Sequence, residues 1–566
     1  MSLLDRRAWL FSAKTFAAAM LAIYVSLRFG LPRPYWAMAT CYIVAQPWSG
    51  MARAKGLYRI LGTLAGVTAA IVLVPNLVSA PPLLTLALAS WAALCLMASL
   101  LMHPPQSYAF MLAGYTAAII GFPSVDQPDA IFNTAVARAE EIGVGIVCVL
   151  FVDSIFPVPS GYFVLARLDK ALADLARLAH DVMNLKQSAA KLANDAGRVA
   201  GDSETLGVLI AHLRYEPASG LGLRDWVPVL HRRIRIVPLL LIGIADRAKA
   251  LHEADPAALD ALMPLLRSVG QWLEHSAESP IIAAEDSPVL LARVDAAAGD
   301  GTVTYWAGLM RAGLLTRLRE LIVAWRDSQA ARCAIGTTAR PDRADRRAAG
   351  VWPPANADGG LILLSGLAVF LAIFGVCVFW IATAWSSGAE AAMMAAVGAS
   401  LYAQVDEPAP AIGRFVWGSF AACGLAAVYL FAVLPPISGF VPLVLALGLL
   451  FLPAGAMQGT PELMSWGIPV TVIGATLIGL TAHFTSDFAD FAGGGIAVVG
   501  GLVASQVAMM VSRPFGTAWR VHRLAESGRS ALSRAARRGT IHRGTINRDD
   551  LVEVMLDRFD AVAVRA

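Results

Sequence analysis

Charge is what this sequence lacks. Asp, Glu, Lys and Arg make up 15 % of its 566 residues, against about 25 % in an ordinary soluble domain. So few ionic side chains cannot cover the surface of a soluble globule of this size. Paired cysteines are missing too: Cys41, Cys95, Cys148, Cys333, Cys377 and Cys423 stand apart, none in CxxC spacing, so no disulfide framework and no CxxC-type zinc or redox site is expected. No GxxxxGK(S/T) phosphate cradle, HExxH, GxSxG or kinase-like set occurs, so the reading is a protein that is not an enzyme, with no metal and no cofactor. A formal charge of +4 is too small to suggest a nucleic-acid partner. Arg6 and Arg7 precede an apolar stretch, but Lys14 interrupts it and no convincing cleavage site follows, which reads as a retained first span.

What is present is apolar: 57 % of the residues, with a mean hydropathy of +0.61. The apolar residues fall in long runs, the mark of a chain that crosses a bilayer. Stretches of low charge predict spans at 11–29, 35–50, 59–75, 82–102, 108–122 and 138–156, then at 361–380, 386–404, 412–434, 439–453, 464–482 and 493–512. The shortest, 35–50, 108–122 and 439–453, are expected to be tilted, broken or re-entrant. Between the two sets, about 157–350 is rich in charge of both signs and has helical periodicity: Leu165, Leu168, Leu172, Leu175 and Leu178 recur at three- and four-residue steps. Pro280, Pro288 and Gly299 to Gly301 read as loops within it, and Arg340 to Arg347 as a hydrophilic linker.

Orientation follows from where cations collect, because cationic loops stay on the cytoplasmic side. Arg6, Arg7 and Lys14, then Arg53, Lys55 and Arg59, then the central segment and an Arg-rich tail all fall on one side if every span crosses once. Asp126, Asp129, Asp487 and Asp490 fall on the other, with Arg28 and Arg33 as the cationic exceptions there. The two sets also resemble each other: Gln46, Arg59, Gly62, Gly66 and Pro75 are echoed by Gln404, Arg414, Gly418, Gly424 and Pro435. Six spans per half would make the copies parallel. The expected fold is therefore all-α and polytopic: two parallel six-helix transmembrane repeats, 1–156 and 351–512, with a cytoplasmic helical domain at 157–350 inserted between them and a basic cytoplasmic tail at 513–566.

Polar residues at membrane depth are the candidates for function, since their placement is costly. Lys14 and Arg59 are cations that would converge on one carboxylate, although snorkelling to the cytoplasmic headgroups accounts for each as well. Gly62 and Gly66 form a GxxxG for close helix packing. Glu390 lies in an apolar run with no cation near it in sequence and is the candidate proton carrier; the outer headgroup level is its other reading. Tyr35-Trp36, and Phe379-Trp380 with Trp385, read either as an aromatic belt or as platforms that stack planar substrates. Gln46 and Gln404, at corresponding inner span ends, read as hydrogen-bonded glue between helices or as part of a gate, and with Arg414 they complete the candidate substrate-binding set.

Lys14-Thr15 through Pro34-Tyr35-Trp36, Gln46-Pro47, Gly50, Lys55, Arg59, Gly62-Thr63 and Gly66 resemble the fusaric acid resistance family, as do Phe110 to Pro123 with Arg138 and Glu141-Ile142-Gly143. The resemblance spans essentially the whole chain and is more specific in the first half; in the second, Arg-x-x-Gly-Thr becomes Arg414-x-x-x-Gly418-Ser419. It implies a multi-pass permease of the bacterial inner membrane that exports aromatic carboxylic acids. Family members usually work beside a periplasmic membrane-fusion protein and an outer-membrane channel. Proton coupling is the expected drive, and association of several copies of the chain stays open. Each half also resembles, more distantly, the aluminium-activated malate transporters, so a passive organic-anion channel or a membrane scaffold is the alternative.

Overall fold

A computed structural model describes residues 5–185, 189–216, 222–299, 305–343, 345, 359–405, 407–481, 487–513 and 517–541. Part of the expected glycine loop after Gly299, positions 344, 346 and 347 of the Arg-rich linker and the tail beyond 541 lie outside the described residues. The chain is helical, with no strand among the described residues. It divides into two compact units, Met1–Val158 with Ala357–Thr517, and Pro159–Asn356 with Ala518–Ala566.

The first unit begins with α1 (Arg6–Arg28), α2 (Pro34–Val44), α3 (Ser49–Leu77), α4 (Pro81–Leu101), α5 (Ser107–Gly121) and α6 (Ile131–Ile155). It resumes with α14 (Gly359–Thr383), α15 (Gly388–Leu401), α16 (Pro408–Val433), α17 (Phe440–Gln458), α18 (Met464–Ile478) and α19 (Phe488–Ser512). Each predicted span falls on one of these helices. Seven of them, α1, α3, α4, α14, α16, α17 and α19, are long and apolar enough to cross a bilayer. The remainder are short or charged. With 11 residues, α2 rises about 16 Å, half of a roughly 30 Å hydrocarbon core. α6 has the length, but Arg138, Glu140, Glu141 and Asp153 interrupt its apolar surface. The stretch 439–453, expected to be incomplete, is the full-length α17. The stretches 386–404 and 464–482 give the short α15 and an α18 whose middle is a π turn at Pro469–Ile473. Pro469 has no N–H to continue the α-helical ladder, which accounts for the wider turn.

Small residues set the packing. A Cβ on Gly62 would lie 2.5 Å from the Ala109 carbonyl oxygen, and one on Gly66 would lie 2.6 Å from Thr116 Cβ, so α3 and α5 approach backbone to backbone. Gly145 does the same for α6 against α2, 2.6 Å from the Ala37 carbonyl oxygen, and Gly501 for α19 against α15, 2.2 Å from that of Ala391. In both parts of the unit the lengths run long, short, long, long, short, long. The partners correspond as well: α2 packs on α6 and α15 on α19, while α1 packs on α17 and α14 on α4.

The second unit contains α7 (Gly161–Met183), α8 (Ala189–His212), α9 (Leu223–Arg235), α10 (Val237–Ala254), α11 (Pro256–Glu278), α12 (Pro280–Gly299), α13 (Tyr305–Ala334) and α20 (Thr517–Ile541). The leucine stripe of α7 is its inward face, with Leu168, Leu172, Leu175 and Leu178 buried. Trp325 is fully buried and donates its Nε1–H to Ser276 Oγ at 2.8 Å. Pro280 starts α12, where a missing N–H is harmless. Pro288 is not in a loop as expected but inside α12. The proline leaves the Ala284 carbonyl without its helical donor, and the Ser287 hydroxyl donates to that oxygen at 3.4 Å instead.

Candidate functional site

Close packing of α3 on α5 carries Arg59 into the interior, where it is 4 % exposed. Its Nη1 donates to Tyr108 Oη at 3.0 Å, and Tyr115 is a second phenol beside the same guanidinium. Its Nε–H is buried with no acceptor. Lys55, one helical turn earlier, places Nζ 5.6 Å from the Tyr108 ring. From α6, Arg138 stacks over Trp36 at 4.2 Å, Arg33 lies over the same ring at 4.6 Å, and the Arg138 Nε–H also lacks an acceptor. Arg59 and Arg138 are electrostatic neighbours, and neither forms an ion pair with a carboxylate among the described residues.

This arrangement leaves two guanidiniums with unmet donors among phenols and an indole. Leaving such a donor buried costs about 1–3 kcal/mol, and more when it is charged. A planar carboxylate fits that deficit, because guanidinium binds it through paired N–H groups while the rings supply stacking faces.

Lys14 has other partners. Its Nζ donates to Asp153 Oδ1 at 3.0 Å and to the Phe156 carbonyl at 2.6 Å. Ser49 Oγ also donates to Asp153 Oδ1, at 3.0 Å, and Oδ2 is buried without a partner. Lys14 and Asp153 line a cavity of about 270 Å³ that also takes in Arg7, Gln46 and Trp48. Small-molecule pockets run from about 300 Å³ upward, so this one suits a single small ring. Lys14 and Arg59 were expected to share one carboxylate; the structure gives them different partners, Lys14 an internal acid and Arg59 a phenol.

The other candidates are scattered. Gln404 Nε2 donates to Ser99 Oγ at 3.3 Å. Glu390 is half-buried in the first turn of α15 and has no hydrogen bond or ion pair among the described residues. Tyr35 meets Trp36 edge-on at 5.8 Å, as Phe379 meets Trp385 at 6.1 Å. Arg414 is exposed. Gly418 abuts α18, a Cβ there lying 2.8 Å from Pro469 Cγ and 3.2 Å from the Ser465 carbonyl oxygen, much as Gly62 abuts α5. Three residues before Gly62 stands Arg59; three before Gly418 stands the buried Phe415. Counted from Gly145 and Gly501 in the same way, Arg138 and Glu141 correspond to Gly494 and Ala497. Among the described residues the unit's buried carboxylates and the unmatched Arg59 thus belong to its first part, while the second part buries Arg513, whose Nη1 donates to the Ala403 carbonyl at 2.7 Å. Arg138, Tyr108, Tyr115 and Asp153 were absent from the expected set; the signal that could have found them is the unusual charge content of the 138–156 window and the two tyrosines within 108–122.

These features define a polytopic helical membrane protein with buried cations set among aromatic rings. The sequence profile of the fusaric acid resistance protein family matches residues 8–566, and the chain belongs to that family. Among its relatives, a protein of Edwardsiella ictaluri named p-hydroxybenzoic acid efflux pump subunit AaeB is 28 % identical over 552 residues, which cover 94 % of this chain and 81 % of the relative. Its namesake in Musicola paradisiaca is 28 % identical over 553 residues, covering 93 % and 78 %. One in Escherichia coli is 26 % identical over 519 residues, covering 88 % and 75 %.

Proposed function

We propose that the chain is an efflux permease of the bacterial inner membrane that exports aromatic or hydrophobic organic acids of the hydroxybenzoate kind. The observation that carries this reading is the buried Arg59, bonded to Tyr108 and left with an unmet Nε–H, close to the equally unmatched Arg138. The names of the relatives support it. Lys14 and Gln46, in the cavity beside Asp153, make the first contacts with the acid on the cytoplasmic side. The chain crosses the membrane twelve times as two parallel six-helix repeats, a reading supported by the matching run of helix lengths and the reciprocal packing of α1 on α17 and α14 on α4. Both termini and the central helical domain are cytoplasmic, a reading supported by the distribution of Lys and Arg. A periplasmic membrane-fusion protein and an outer-membrane channel carry the acid onward. With no phosphate cradle in the sequence, the proton gradient is the drive.

The test is flux of labelled p-hydroxybenzoate in proteoliposomes holding the full chain. Accumulation against a concentration gradient only when a proton gradient is imposed is expected. Purely downhill flux, indifferent to that gradient, would point to a passive channel.

A further inference from the structure

Two carboxylates are buried in the first unit among the described residues, Asp153 and Glu141. Asp153 is matched by the ammonium of Lys14. Glu141 is 0 % exposed and has no such match: Oε1 accepts the backbone N–H of Arg33 at 2.5 Å, and Oε2 has no partner. The nearby guanidiniums of Arg33 and Arg138 both lie over the Trp36 ring. A buried carboxylate without a counter-ion is costly as an anion, and taking up a proton removes that cost.

Its hydrogen bond ties this charge to the start of α2. Arg33 is the residue that precedes α2, and α2 carries Tyr35 and Trp36 in its first turn. One turn beyond Glu141 on α6, Gly145 presses on Ala37 and Thr40, so α6 grips α2 from its first residue to its middle. The bond from Arg33 N–H to an ionised Glu141 is charge-assisted and roughly twice as strong as one to the neutral acid. Protonation therefore loosens the start of α2, and with it Trp36, the ring on which Arg138 rests.

We propose that Glu141 takes up and releases the proton that drives export, and that it does so by holding or freeing the start of α2. This rests on the export reading above. The proton arrives from outside and bonds to Oε2, which neutralises the side chain; it later leaves the same oxygen towards the cytoplasm while the organic acid departs outward as its anion. No other bond is made or broken. The charged and titratable groups facing Glu141 are Arg33 and Tyr35 from the α2 side and Arg138 and Glu140 on its own helix. The α1 and α3 faces of α6 bring Lys14 to Asp153 and Arg59 towards Arg138. Ala497 holds the corresponding position of α19, so the second part of the unit has no carboxylate at that place. Glu390, half-buried in the first turn of α15, grips no neighbouring helix among the described residues.

The test uses the full chain in proteoliposomes with labelled p-hydroxybenzoate and reads binding, exchange across a membrane without a pH gradient, and flux driven by a pH jump. Wild-type protein that fails to bind the acid would refute the export reading and leave Glu141 with no substrate to couple. Given binding, Glu141→Gln should keep binding and exchange, since the amide preserves size and acceptor. Its driven flux should fall to the rate seen without a gradient, and the pH dependence of exchange should flatten. If the glutamine variant does not fold, Glu141→Asp should keep driven flux with a displaced pH profile. Undiminished driven flux in Glu141→Gln, a wild-type pH profile in Glu141→Asp, or loss of the drive in Glu390→Gln alone would each overturn the proposal.

Discussion

Phe415 occupies in the second part of the membrane unit the position that Arg59 occupies in the first. Each stands three residues before a glycine pressed on the start of a short helix, Gly418 on α18 and Gly62 on α5. Phe415 meets Tyr402 edge-on at 5.6 Å where Arg59 donates to Tyr108 at 3.0 Å. At this position one part therefore presents a buried cation and the other a buried ring.

Arg414, the cation nearest to Phe415 in sequence, is exposed. Its substitution by glutamine should lower affinity for an aromatic acid less than Arg59→Gln does, as read by ligand titration of the purified variants. A loss as large as that of Arg59→Gln would show that the two parts bind equivalently.

The GxxxG of α3 makes a prediction about stability. Gly62→Ala would drive its Cβ into the Ala109 carbonyl, a backbone atom that cannot swing aside, and overpacking of this kind costs about 1–3 kcal/mol. Gly375→Ala, in α14, meets nothing within 4 Å and should leave the unfolding temperature in detergent unchanged or raise it.

Much of this was legible in the sequence, for a physical reason. Apolar runs must be helical in a bilayer, so windows of low charge find α1 to α6 and α14 to α19 with few errors. Lys14 and Arg59 are visible because a cation in such a run is rare. Arg138 and Glu141 show in the sequence only through the family resemblance and the charge of their window, and Asp153 only through the latter, because nothing local says which of these charges is buried. The pairing of Lys14 with Asp153 spans 139 positions, and no local pattern encodes it. The match of Arg59 with Phe415 is set by where two glycines touch backbone, whereas the sequence offers Arg414 as the more conspicuous partner.

In the second unit, His231 is 4 % exposed, with Nε2 donating to the Ser203 carbonyl at 3.0 Å. Burial pushes its pKa down to about 4, with Arg235 adding to the effect. The unfolded chain takes up this proton below about 6.5 and the folded chain only near 4. Stability is therefore full above about pH 6.5 and falls as the pH drops towards 4, by an amount on the order of 3 kcal/mol. Thermal unfolding of the full chain between pH 7 and pH 5 should show this decline, and His231→Gln should blunt it. An unchanged acid slope in the variant would assign the effect to other groups.

Topology can be checked with thiols. Asp126 is exposed between α5 and α6, and Cys333 is exposed near the end of α13. In intact spheroplasts, Asp126→Cys should react with an impermeant maleimide added from outside, and Cys333 should react only after permeabilisation. Labelling of Cys333 from outside would invert the orientation.

The guanidinium of Arg59 is the proposed seat of the organic anion. Calorimetric titration of purified wild type and Arg59→Gln, matched for folded fraction, with p-hydroxybenzoate and with its uncharged amide measures this directly. A hydrogen bond to a charged group is worth about 1.5–3 kcal/mol, so the variant should lose about ten- to a hundredfold in affinity for the acid and little for the amide. Equal losses for acid and amide, or none for either, would contradict it.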